Sequence, residues 1–470
     1  MSALSTSGSA PGSAAATSVR PGAVDAERLA AADRAAIIHP YLPASATERV
    51  VMTSGSGCRL TDAEGRSYLD ATGGLWLAQV GHGREEIARV AYEQMRTLEY
   101  FTSFWEFSND RAVELASRLV SLAPDGLDHV YFTSGGSEGN EAAIKMARYY
   151  HHRRGESDRT WILARRKAYH GVGYGGGSAT GFPLYHDGFA PMMPHVSHLT
   201  PPWPYRTELY GGEDPTDFLV RELEERIREI GPDNFAAMIG EPIMGVGGML
   251  VPPDDYWPRV REVLDRHGIL LVFDEVVTAY GRVGEWFAAQ HFGVTPDIVV
   301  TAKGITSGYT PLGAVLTGGH VAEQLLRDPG FPMGYTYNGH PVAAAVALAN
   351  LDIIERENLL ARAVRTGAAL HRELADRLGD LPVVGEVRST GMMLAVELVA
   401  DRGTRRPLPV RPEQMPHDVI RREHGVLVRD SEHSLVLSPP LVLTEDEAAE
   451  IAAAMRSVLE RTLPTGEIRA

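Results

Sequence analysis

The chain has 470 residues, 44% hydrophobic and 23% charged, and its 45 Lys and Arg against 61 Asp and Glu give a formal net charge of −16. This length exceeds what one hydrophobic core usually holds, so two domains are expected, and the composition is typical of a globular protein. The negative net charge argues against nucleic acid or an anionic membrane as the main partner.

The cysteine content and the N-terminal sequence exclude further classes. Cys58 is the only cysteine, so neither a disulfide framework nor the usual thiolate metal site is expected. No apolar stretch approaches the roughly 20 residues that span a bilayer. Residues 1–22 are rich in Ser, Ala and Gly but lack the basic start and apolar core of a signal peptide, which predicts a disordered arm. A cytoplasmic location follows by default.

The N-terminal elements are predicted from periodicity and turn residues. A helical pattern runs from Val24 to about Ala36, and short antiparallel strands within residues 50–70 turn at the Asp-Ala-Glu-Gly sequence of residues 62–65. Further helices are predicted over 85–98 and 109–122. Residues 23–75 are expected to form an N-terminal segment that packs with the smaller of the two domains.

Two domains follow in the sequence, a large one over 76–340 and a small one over 341–470. From Val130 to Gly318, short apolar strands alternate with helices, which predicts a parallel α/β sheet. One long, mostly helical stretch from His340 to about Leu378 leads into strands and a closing helix at Thr444, typical of a smaller α+β domain.

Two apolar runs in the large domain each end in one polar residue, Asp274 and Lys303. Ligands of parallel sheets bind beyond the carboxyl ends of the strands, so both side chains should face a ligand. A buried lysine can form a Schiff base because desolvation disfavours its charged form, and a carboxylate suits the pyridine nitrogen of pyridoxal phosphate (PLP). These two residues alone are equally compatible with an ordinary ion pair at a sheet edge.

Other candidate ligand-binding residues lie at predicted strand ends. Gly136 and Ser137 begin a helix directly after a strand, a geometry that presents backbone N–H groups to an anion, although a tight turn that binds nothing has the same pattern. Tyr169 could stack on an aromatic ring, and Glu241 could orient a ligand or cap a helix. Thr336 offers a hydroxyl and an N–H to a phosphate, or lies in a simple connector.

The glycine-rich run over 171–181 is predicted to be a flexible loop.

Taken in order, six short motifs in the sequence resemble the motif series of the class III aminotransferases, and this resemblance covers roughly residues 40–460. The motifs are Ser137-Glu138-Gly139-Asn140-Glu141, Tyr169-His170-Gly171, Glu241-Pro242, Phe273-Asp274-Glu275-Val276, Thr301-Ala302-Lys303-Gly304 and Thr336-Tyr337-Asn338-Gly339-His340-Pro341.

The resemblance implies an α/β protein with the PLP-dependent transferase fold of type I, in which a large domain with a mostly parallel sheet accompanies a smaller α+β domain. It implies that Lys303 binds PLP covalently and moves a proton during the reaction, and that Asp274 pairs with the pyridine nitrogen. Val276 would pack on one face of the ring and Tyr169 would stack on the other. Lys303, Asp274 and Tyr169 are therefore the predicted catalytic residues.

The remaining cofactor contacts implied by the resemblance are Gly136 and Ser137 at the phosphate, with His170 and Glu241 nearby. Thr336 would reach the phosphate from the neighbouring subunit, which predicts a homodimer with shared active sites. No metal is expected. The cofactor is PLP, and the substrates are a small-molecule amine donor and a keto-acid acceptor.

The resemblance also implies substrate contacts from Trp76 and from Arg429, whose guanidinium could bind a carboxylate and swing aside for an apolar amine. Phe104 and Trp105, with Trp76 and Tyr169, could build an aromatic wall. These residues favour an ω-amino acid or primary amine as donor and pyruvate as acceptor. A taurine or β-alanine donor remains an alternative because of the Gly135–Gly136 pair, as does an aminomutase or a decarboxylating transaminase on the same fold.

Overall fold

The computed structural model describes residues 25–469, so the arm predicted at 1–22 lies outside the described residues. Of the described residues, 25–53 and 61–66 form one compact unit, and 54–60 and 67–469 form another. Across residues 25–469, no helix has both the length and the apolar character needed to cross a membrane.

The secondary structure of the described residues consists of helices and strands, together with short 3-10 turns. The helices are α1 (Ala26–Ala36), α2 (Gly73–Trp76), α3 (Glu85–Thr97), α4 (Asp110–Leu122), α5 (Gly136–Arg153), α6 (Tyr174–Ala179), α7 (Pro215–Ile230), α8 (Tyr256–His267), α9 (Ala288–Phe292), α10 (Gly319–Leu326), α11 (Pro341–Arg356), α12 (Leu359–Leu378), α13 (Pro416–His424) and α14 (Glu445–Leu459). The strands are β1 (Met52–Ser56), β2 (Arg59–Asp62), β3 (Ser67–Asp70), β4 (Leu127–Thr133), β5 (Trp161–Arg165), β6 (Val196–Leu199), β7 (Phe235–Gly240), β8 (Leu270–Asp274), β9 (Ile298–Thr301), β10 (Gly313–Gly318), β11 (Val384–Thr390), β12 (Met393–Asp401), β13 (Arg406–Pro407), β14 (Val426–Leu427), β15 (Arg429–Ser431) and β16 (Ser434–Leu437).

The smaller unit contains α1 and the predicted Asp-Ala-Glu-Gly turn. The helix begins where the carboxylate of Asp25 accepts a hydrogen bond from the backbone N–H of Arg28 at 2.9 Å, a standard N-cap. In the turn, Asp62 accepts hydrogen bonds from the backbone N–H groups of Glu64 and Arg66, both at 2.9 Å. The structure thus confirms the helix prediction over Ala26–Ala36 and the position of the turn.

A seven-stranded sheet in the order β4-β10-β9-β8-β7-β5-β6 forms the centre of the larger unit. Strands β6, β5, β7, β8 and β9 are parallel neighbours, whereas β10 pairs antiparallel with both β9 and β4. The predicted strands are confirmed, but the expectation of parallel pairing fails for β10. This strand returns directly after a short connection, which lacks the crossover helix that parallel pairing requires.

Buried residues on both faces of the sheet explain its near-continuous apolar strands. Every residue of β7 and β8 is buried, and α5 covers one face with Ala142, Ala143 and Ile144 against Val272 and Val300. Because β4 is parallel to β9 through β10, the carboxyl ends of β4, β5, β7, β8 and β9 meet at one edge of the sheet. The predicted site residues follow these ends.

The C-terminal part of the larger unit contains an antiparallel sheet in the order β11-β12-β16-β15, with β13 paired to β12. Strand β14 pairs in parallel with β3. The closing helix α14 has the predicted capping box, in which Thr444 and Glu447 satisfy each other's backbone N–H groups.

The structure confirms the mostly helical stretch from His340 to Leu378 but divides it into α11 and α12, because Asn358 adopts the left-handed conformation with φ of 50° and redirects the chain. One element prediction is wrong. The glycine-rich run over 171–181 contains the buried helix α6 rather than a flexible loop, and its glycines allow the close approach of Glu141.

The predicted domain boundaries stay predictions. The seven-stranded sheet lies entirely within the proposed large domain of 76–340, and the antiparallel sheet lies within 341–470. Both sheets nevertheless belong to one compact unit.

Candidate active site

Asp274 is the last residue of β8 and is held by three hydrogen bonds. Its Oδ2 accepts from Nδ1 of His170 at 2.8 Å and from Nδ2 of Asn140 at 2.7 Å, and its Oδ1 accepts from the backbone N–H of Val276 at 3.1 Å. Asp274 is only 4% exposed, and His170 is fully buried. The bond to the carboxylate assigns a proton to Nδ1 of His170. The structure thus places His170 behind Asp274 as its hydrogen-bond partner.

Lys303 follows β9 and lies in the same polar region. Burial lowers the pKa of Lys303, and the positive charge of Arg429 adds to this effect, while the negative charges of Asp274 and Glu241 oppose it. Its backbone has φ of 46°, an uncommon left-handed conformation for a lysine. A neutral amine at this position is a nucleophile and a proton acceptor.

A buried polar network fixes the chain directly after Lys303. Nδ2 of Asn350, on α11, donates to the carbonyl oxygens of Gly304 at 2.9 Å and Ile305 at 3.0 Å, and its Oδ1 accepts from Oγ of Ser307 at 2.6 Å. Oγ of Ser307 accepts in turn from the backbone N–H of Val80 at 3.2 Å. The side chain of Asn350 therefore uses all of its donor hydrogens on or near the lysine loop.

Glu241 is a buried carboxylate that organises backbone rather than capping a helix. Its two oxygens accept from the backbone N–H groups of Tyr169 at 3.0 Å and Gly245 at 2.8 Å. Burial raises the pKa of Glu241, and the charge of His170 and these two N–H groups lower it. The carboxylate thereby fixes the start of the Tyr169 loop beside Asp274.

The first turn of α5 lies against Val276, just past the end of β8. A Cβ atom on Gly136 would lie 2.8 Å from Cγ2 of Val276, so only glycine fits at this contact. Likewise, a Cβ on Gly171 would lie 2.6 Å from Oγ of Ser137. The structure therefore brings Gly136, Ser137 and Val276 together at the N-terminus of an 18-residue helix, where backbone N–H groups favour an anion.

Trp76 and Arg429 line a cavity of about 260 Å³. The ring centroid of Trp76 lies 5.7 Å from Nζ of Lys303 and 5.2 Å from Cζ of Arg429, so the indole lies close to both side chains. The other residues that line this cavity are Phe182, Pro183, Leu184, Tyr185, Val246, Asp430, Ser431 and Glu432.

The predicted aromatic wall does not come together among the described residues of one chain, and a role of Phe104 and Trp105 at the substrate stays a prediction. Phe104 and Trp105 line a separate cavity of about 910 Å³ beside the edge strand β4, because they precede α4, which packs against that strand. Within this chain, Phe182 and Tyr185 line the cavity beside Trp76 instead, and the rings of Tyr185 and Tyr169 meet edge to face at 5.4 Å. Their aromatic character, shortly after the Tyr169 motif, was the available signal in the sequence.

Thr336 is exposed in the connection that precedes α11. Its carbonyl oxygen accepts a hydrogen bond from the hydroxyl of Tyr100 at 2.8 Å. Its role at a phosphate stays a prediction. The sequence reasoning also missed Asn140 and Asn350, although Asn140 is part of the quoted motif around Ser137.

The residues present fit PLP. A buried carboxylate with hydrogen-bond donors on both oxygens keeps a lone pair available for a protonated pyridine nitrogen. A lysine with a lowered pKa lies nearby, and a glycine-containing helix N-terminus suits a phosphate. The ion-pair interpretation of Asp274 and Lys303 explains none of the surrounding glycine contacts.

Comparisons with known proteins agree with this geometry. The family profile described as aminotransferase class-III matches residues 41–459. A putrescine–pyruvate aminotransferase of Pseudomonas aeruginosa is 38% identical over 420 residues, covering 88% of this chain and 91% of the relative. A taurine–pyruvate aminotransferase of Bilophila wadsworthia is 35% identical over 444 residues, covering 91% and 96%.

A solved structure is similar over nearly the whole length. The thermostable (S)-enantioselective omega-transaminase from Thermomicrobium roseum superposes with a TM-score of 0.88 at 45% identity, covering 92% of this chain and 98% of that one. Both the profile match and the relatives span most of the chain. The chain therefore belongs to the class III aminotransferases and is a PLP-dependent aminotransferase of fold type I.

Proposed function

We propose that the enzyme moves an amino group from a primary amine or ω-amino acid to an α-keto acid, with pyruvate as the acceptor, in a ping-pong reaction. One observation carries this proposal. The indole of Trp76 lies close to both Nζ of Lys303 and the guanidinium of Arg429, at the wall of a cavity with further aromatic side chains. One site thus combines a carboxylate-binding cation with surface for an apolar amine.

PLP, when bound, supplies an electron sink next to the carbon that carries the amino group. Asp274 holds the protonated pyridine nitrogen with a carboxylate that His170 and Asn140 keep in place. Burial disfavours the ammonium form of Lys303, which suits its Nζ to take up the proton that leaves the substrate carbon. Gly136 and Ser137 hold the phosphate at the start of α5.

Arg429 serves the acceptor. Its planar guanidinium can bind the carboxylate of a keto acid through two parallel hydrogen bonds. The ammonium of a lysine is a compact charge and cannot form this paired contact. An apolar amine lacks this carboxylate and contacts the walls formed by Trp76, Phe182 and Tyr185. The two half-reactions therefore depend differently on Arg429.

Spectra of the purified enzyme test the proposed function. A productive donor removes the visible absorbance band of bound PLP, and pyruvate restores it. The donor panel contains an apolar primary amine, an ω-amino acid, taurine, β-alanine and L-alanine. A band that none of these donors changes would contradict the proposal, whereas a response to taurine or β-alanine alone would establish the alternative donor class.

Product analysis separates the remaining alternatives. An aminomutase would turn over without a keto acid, and a decarboxylating transaminase would release carbon dioxide. A strict requirement for one equivalent of keto acid, without carbon dioxide, supports simple transamination.

The variant Arg429→Lys sharpens the assignment of the acceptor site. We expect the KM for pyruvate to rise about tenfold to a hundredfold, since one charge-assisted contact is lost. The KM for an apolar primary amine should change less than about threefold, because that substrate carries no carboxylate. Equal changes in both KM values would contradict a carboxylate-specific role.

We further propose that the enzyme is a homodimer with shared active sites. The cavity beside β4 is lined by Phe104, Trp105, Leu326 and Phe331, and Trp105 is 83% exposed. Exposed apolar surface of this kind favours a protein partner, and a second copy would bring its own Phe104, Trp105 and Thr336 towards the site. A cytoplasmic location stays a prediction from composition.

Hybrid dimers test whether Thr336 acts across the interface. The parent variants are Lys303→Ala and Thr336→Asp, each expected to be inactive as a homodimer. If Thr336 serves the neighbouring subunit, one of the two sites in a hybrid has both native residues, and activity returns. If Thr336 serves its own subunit, both sites carry a defect and mixing restores nothing. An active Thr336→Asp homodimer or a monomeric enzyme would also contradict the proposal.

A further inference from the structure

Asn140 makes two buried hydrogen bonds that connect three elements of the active site. From α5, its Nδ2 donates to Oδ2 of Asp274 at 2.7 Å and to the carbonyl oxygen of His170 at 3.0 Å. Asn140 is 2% exposed. The amide therefore ties the end of β8 to the loop that carries Tyr169 and His170.

The orientation of this amide follows from its neighbours. Both acceptors are oxygen atoms, so the amide nitrogen must face them, and a flipped amide would place oxygen against oxygen. On the other side of the amide, Oδ1 of Asn140 is buried and has no hydrogen-bond partner among residues 25–469. An unpartnered buried oxygen costs stability, so the fold gains less from this asparagine than its two hydrogen bonds suggest.

We propose that Asn140 is a positioning residue that fixes the carboxylate of Asp274 for the pyridine nitrogen of PLP. Oδ2 of Asp274 receives two side-chain donors, from Asn140 and His170, while Oδ1 receives one backbone donor, from Val276. Donors from three directions oppose rotation of the carboxylate. Oδ1 therefore keeps a lone pair that would be available to the pyridine nitrogen of PLP.

Asn140 differs from His170 in a way that makes it the more informative residue. An imidazole is an ionisable group in general, whereas the amide of Asn140 stays neutral and donates at every pH. Asn140 thus supplies a pH-independent donor to Asp274. The inference depends on PLP binding to Asp274 and goes beyond the choice of donor and acceptor, so it can fail while the proposed function holds.

The experiment compares PLP binding by the wild-type protein with binding by Asn140→Leu and Asn140→Asp. Leucine has a similar shape and removes both hydrogen bonds, and we expect the dissociation constant of PLP to rise about tenfold or more. The pH midpoint at which the visible band of bound PLP changes should shift as well, because the ring then faces a less firmly held carboxylate. Both quantities are measured without turnover.

The variant Asn140→Asp provides a conservative rescue that depends on pH. When the carboxyl group introduced at position 140 is protonated, it can donate to Asp274 as the amide does, whereas the ionised form repels Asp274. PLP affinity of Asn140→Asp should therefore approach the wild-type value at low pH and fall as the pH rises, more steeply than in the wild type.

His151→Leu is the matched control on the same helix. His151 is also buried, and its ring nitrogens contact Glu156 at 2.7 Å and the carbonyl oxygen of Ala236 at 3.1 Å, away from Asp274. We expect this variant to lose stability but to keep the wild-type affinity for PLP and the wild-type pH midpoint. If Asn140→Leu and His151→Leu change the PLP affinity and the pH midpoint by similar amounts, Asn140 has only a structural role.

Unchanged affinity and midpoint in Asn140→Leu would overturn the proposal. If the leucine variant does not fold, the pH dependence of PLP affinity in Asn140→Asp tests the proposal instead. A dependence equal to that of the wild type contradicts the proposal, and a steeper loss of PLP affinity at high pH supports it. Loss of transamination with normal PLP binding in all variants would instead count against the inference while leaving the proposed function intact.

Discussion

The two sides of the active site are held in different ways. On the cofactor side, Asp274 is 4% exposed and receives donors from His170 and Asn140 at 2.8 and 2.7 Å. On the substrate side, two carboxylates of the cavity lining lie in partly exposed contacts, Glu432 with Lys167 and Asp430 with His417. The difference shows which part of the enzyme is preorganised and which part can adapt.

Burial explains the contrast in energetic terms. Buried hydrogen bonds are costly to break because the remaining partner stays unsatisfied, whereas exposed ion pairs are replaced by water at little cost. We therefore expect substitutions on the cofactor side to have large effects on binding and stability. Substitutions on the substrate side should change stability little and leave room for different donors.

Lys303→Met tests the cofactor side most severely. We expect turnover to fall by at least about a thousandfold, because the variant loses both the covalent anchor and the proton acceptor. The protein without cofactor should become more stable, since burial lowers the pKa of Lys303 and the fold therefore disfavours its ammonium form. This gain should be largest at low pH and shrink as the pH rises towards the pKa of the unfolded lysine.

Measurement of kcat and of denaturant midpoints at several pH values checks both expectations for Lys303→Met. The variant Lys145→Met, on the exposed face of α5, is the control for removing one lysine. Full turnover in Lys303→Met would contradict the assignment of the lysine. An equal gain in stability in Lys145→Met would show that the gain does not come from the burial of Lys303.

Glu275, on the cofactor side, makes the free energy of unfolding depend on pH. Its carboxylate accepts from the backbone N–H groups of Ala288 and Ala289 and from the hydroxyl of Thr278, yet burial still raises its pKa to about 7. With a raised pKa, Glu275 contributes stability that is fully present below about pH 4.5 and is lost as the pH rises through about 7.

Glu275→Gln removes this titration. The unfolding free energy of the wild type relative to the variant should fall by about 3 kcal/mol between pH 4.5 and pH 8, from the shift of the pKa. Urea unfolding of both proteins across this range measures the difference. A difference that does not change with pH would show that Glu275 is ionised with an ordinary pKa.

Asn350→Leu tests the network behind Lys303. Removal of its hydrogen bonds to Gly304, Ile305 and Ser307 should lower the unfolding free energy by about 2 kcal/mol. Amide hydrogen exchange across 303–309 should become faster, because this loop loses its contacts with α11.

Asn109→Leu is the matched control for Asn350→Leu, since Asn109 is a buried asparagine that bonds Ala112 and Gly339 instead. It should lose stability without faster exchange across 303–309. Accelerated exchange of that loop in both variants would indicate a general loss of stability rather than a local role of Asn350.

The sequence was most informative on the cofactor side. Asp274 and Lys303 end apolar strands, and parallel strands bring such ends together whatever the details of packing. The strand pattern likewise indicated six strands of the central sheet, whereas β6 was missed. The reversal of β10 was not visible, because apolar strands look alike in parallel and antiparallel pairs.

The substrate side was less predictable because it depends on loops. Phe104 and Trp105 are aromatic residues with no periodic context, and only the structure shows that they line the cavity beside β4 rather than the one beside Trp76. The break between α11 and α12 depends on one left-handed residue, Asn358, within a helical composition. Asn140 and Asn350 are polar residues on helices whose partners lie far away in sequence.

Lys167→Ala tests the substrate side and should have the smallest effect. The ammonium of Lys167 pairs with Glu432 and lies 5.2 Å from the ring of Trp203, and the side chain of Glu432 is 42% exposed. Since water can solvate this pair, we expect a loss of less than about 1 kcal/mol in unfolding free energy and no change in PLP affinity. Thermal unfolding and PLP titration measure both. A loss as large as that of Asn350→Leu would mean that the substrate side is as firmly held as the cofactor side, and the contrast between the two sides would then be wrong.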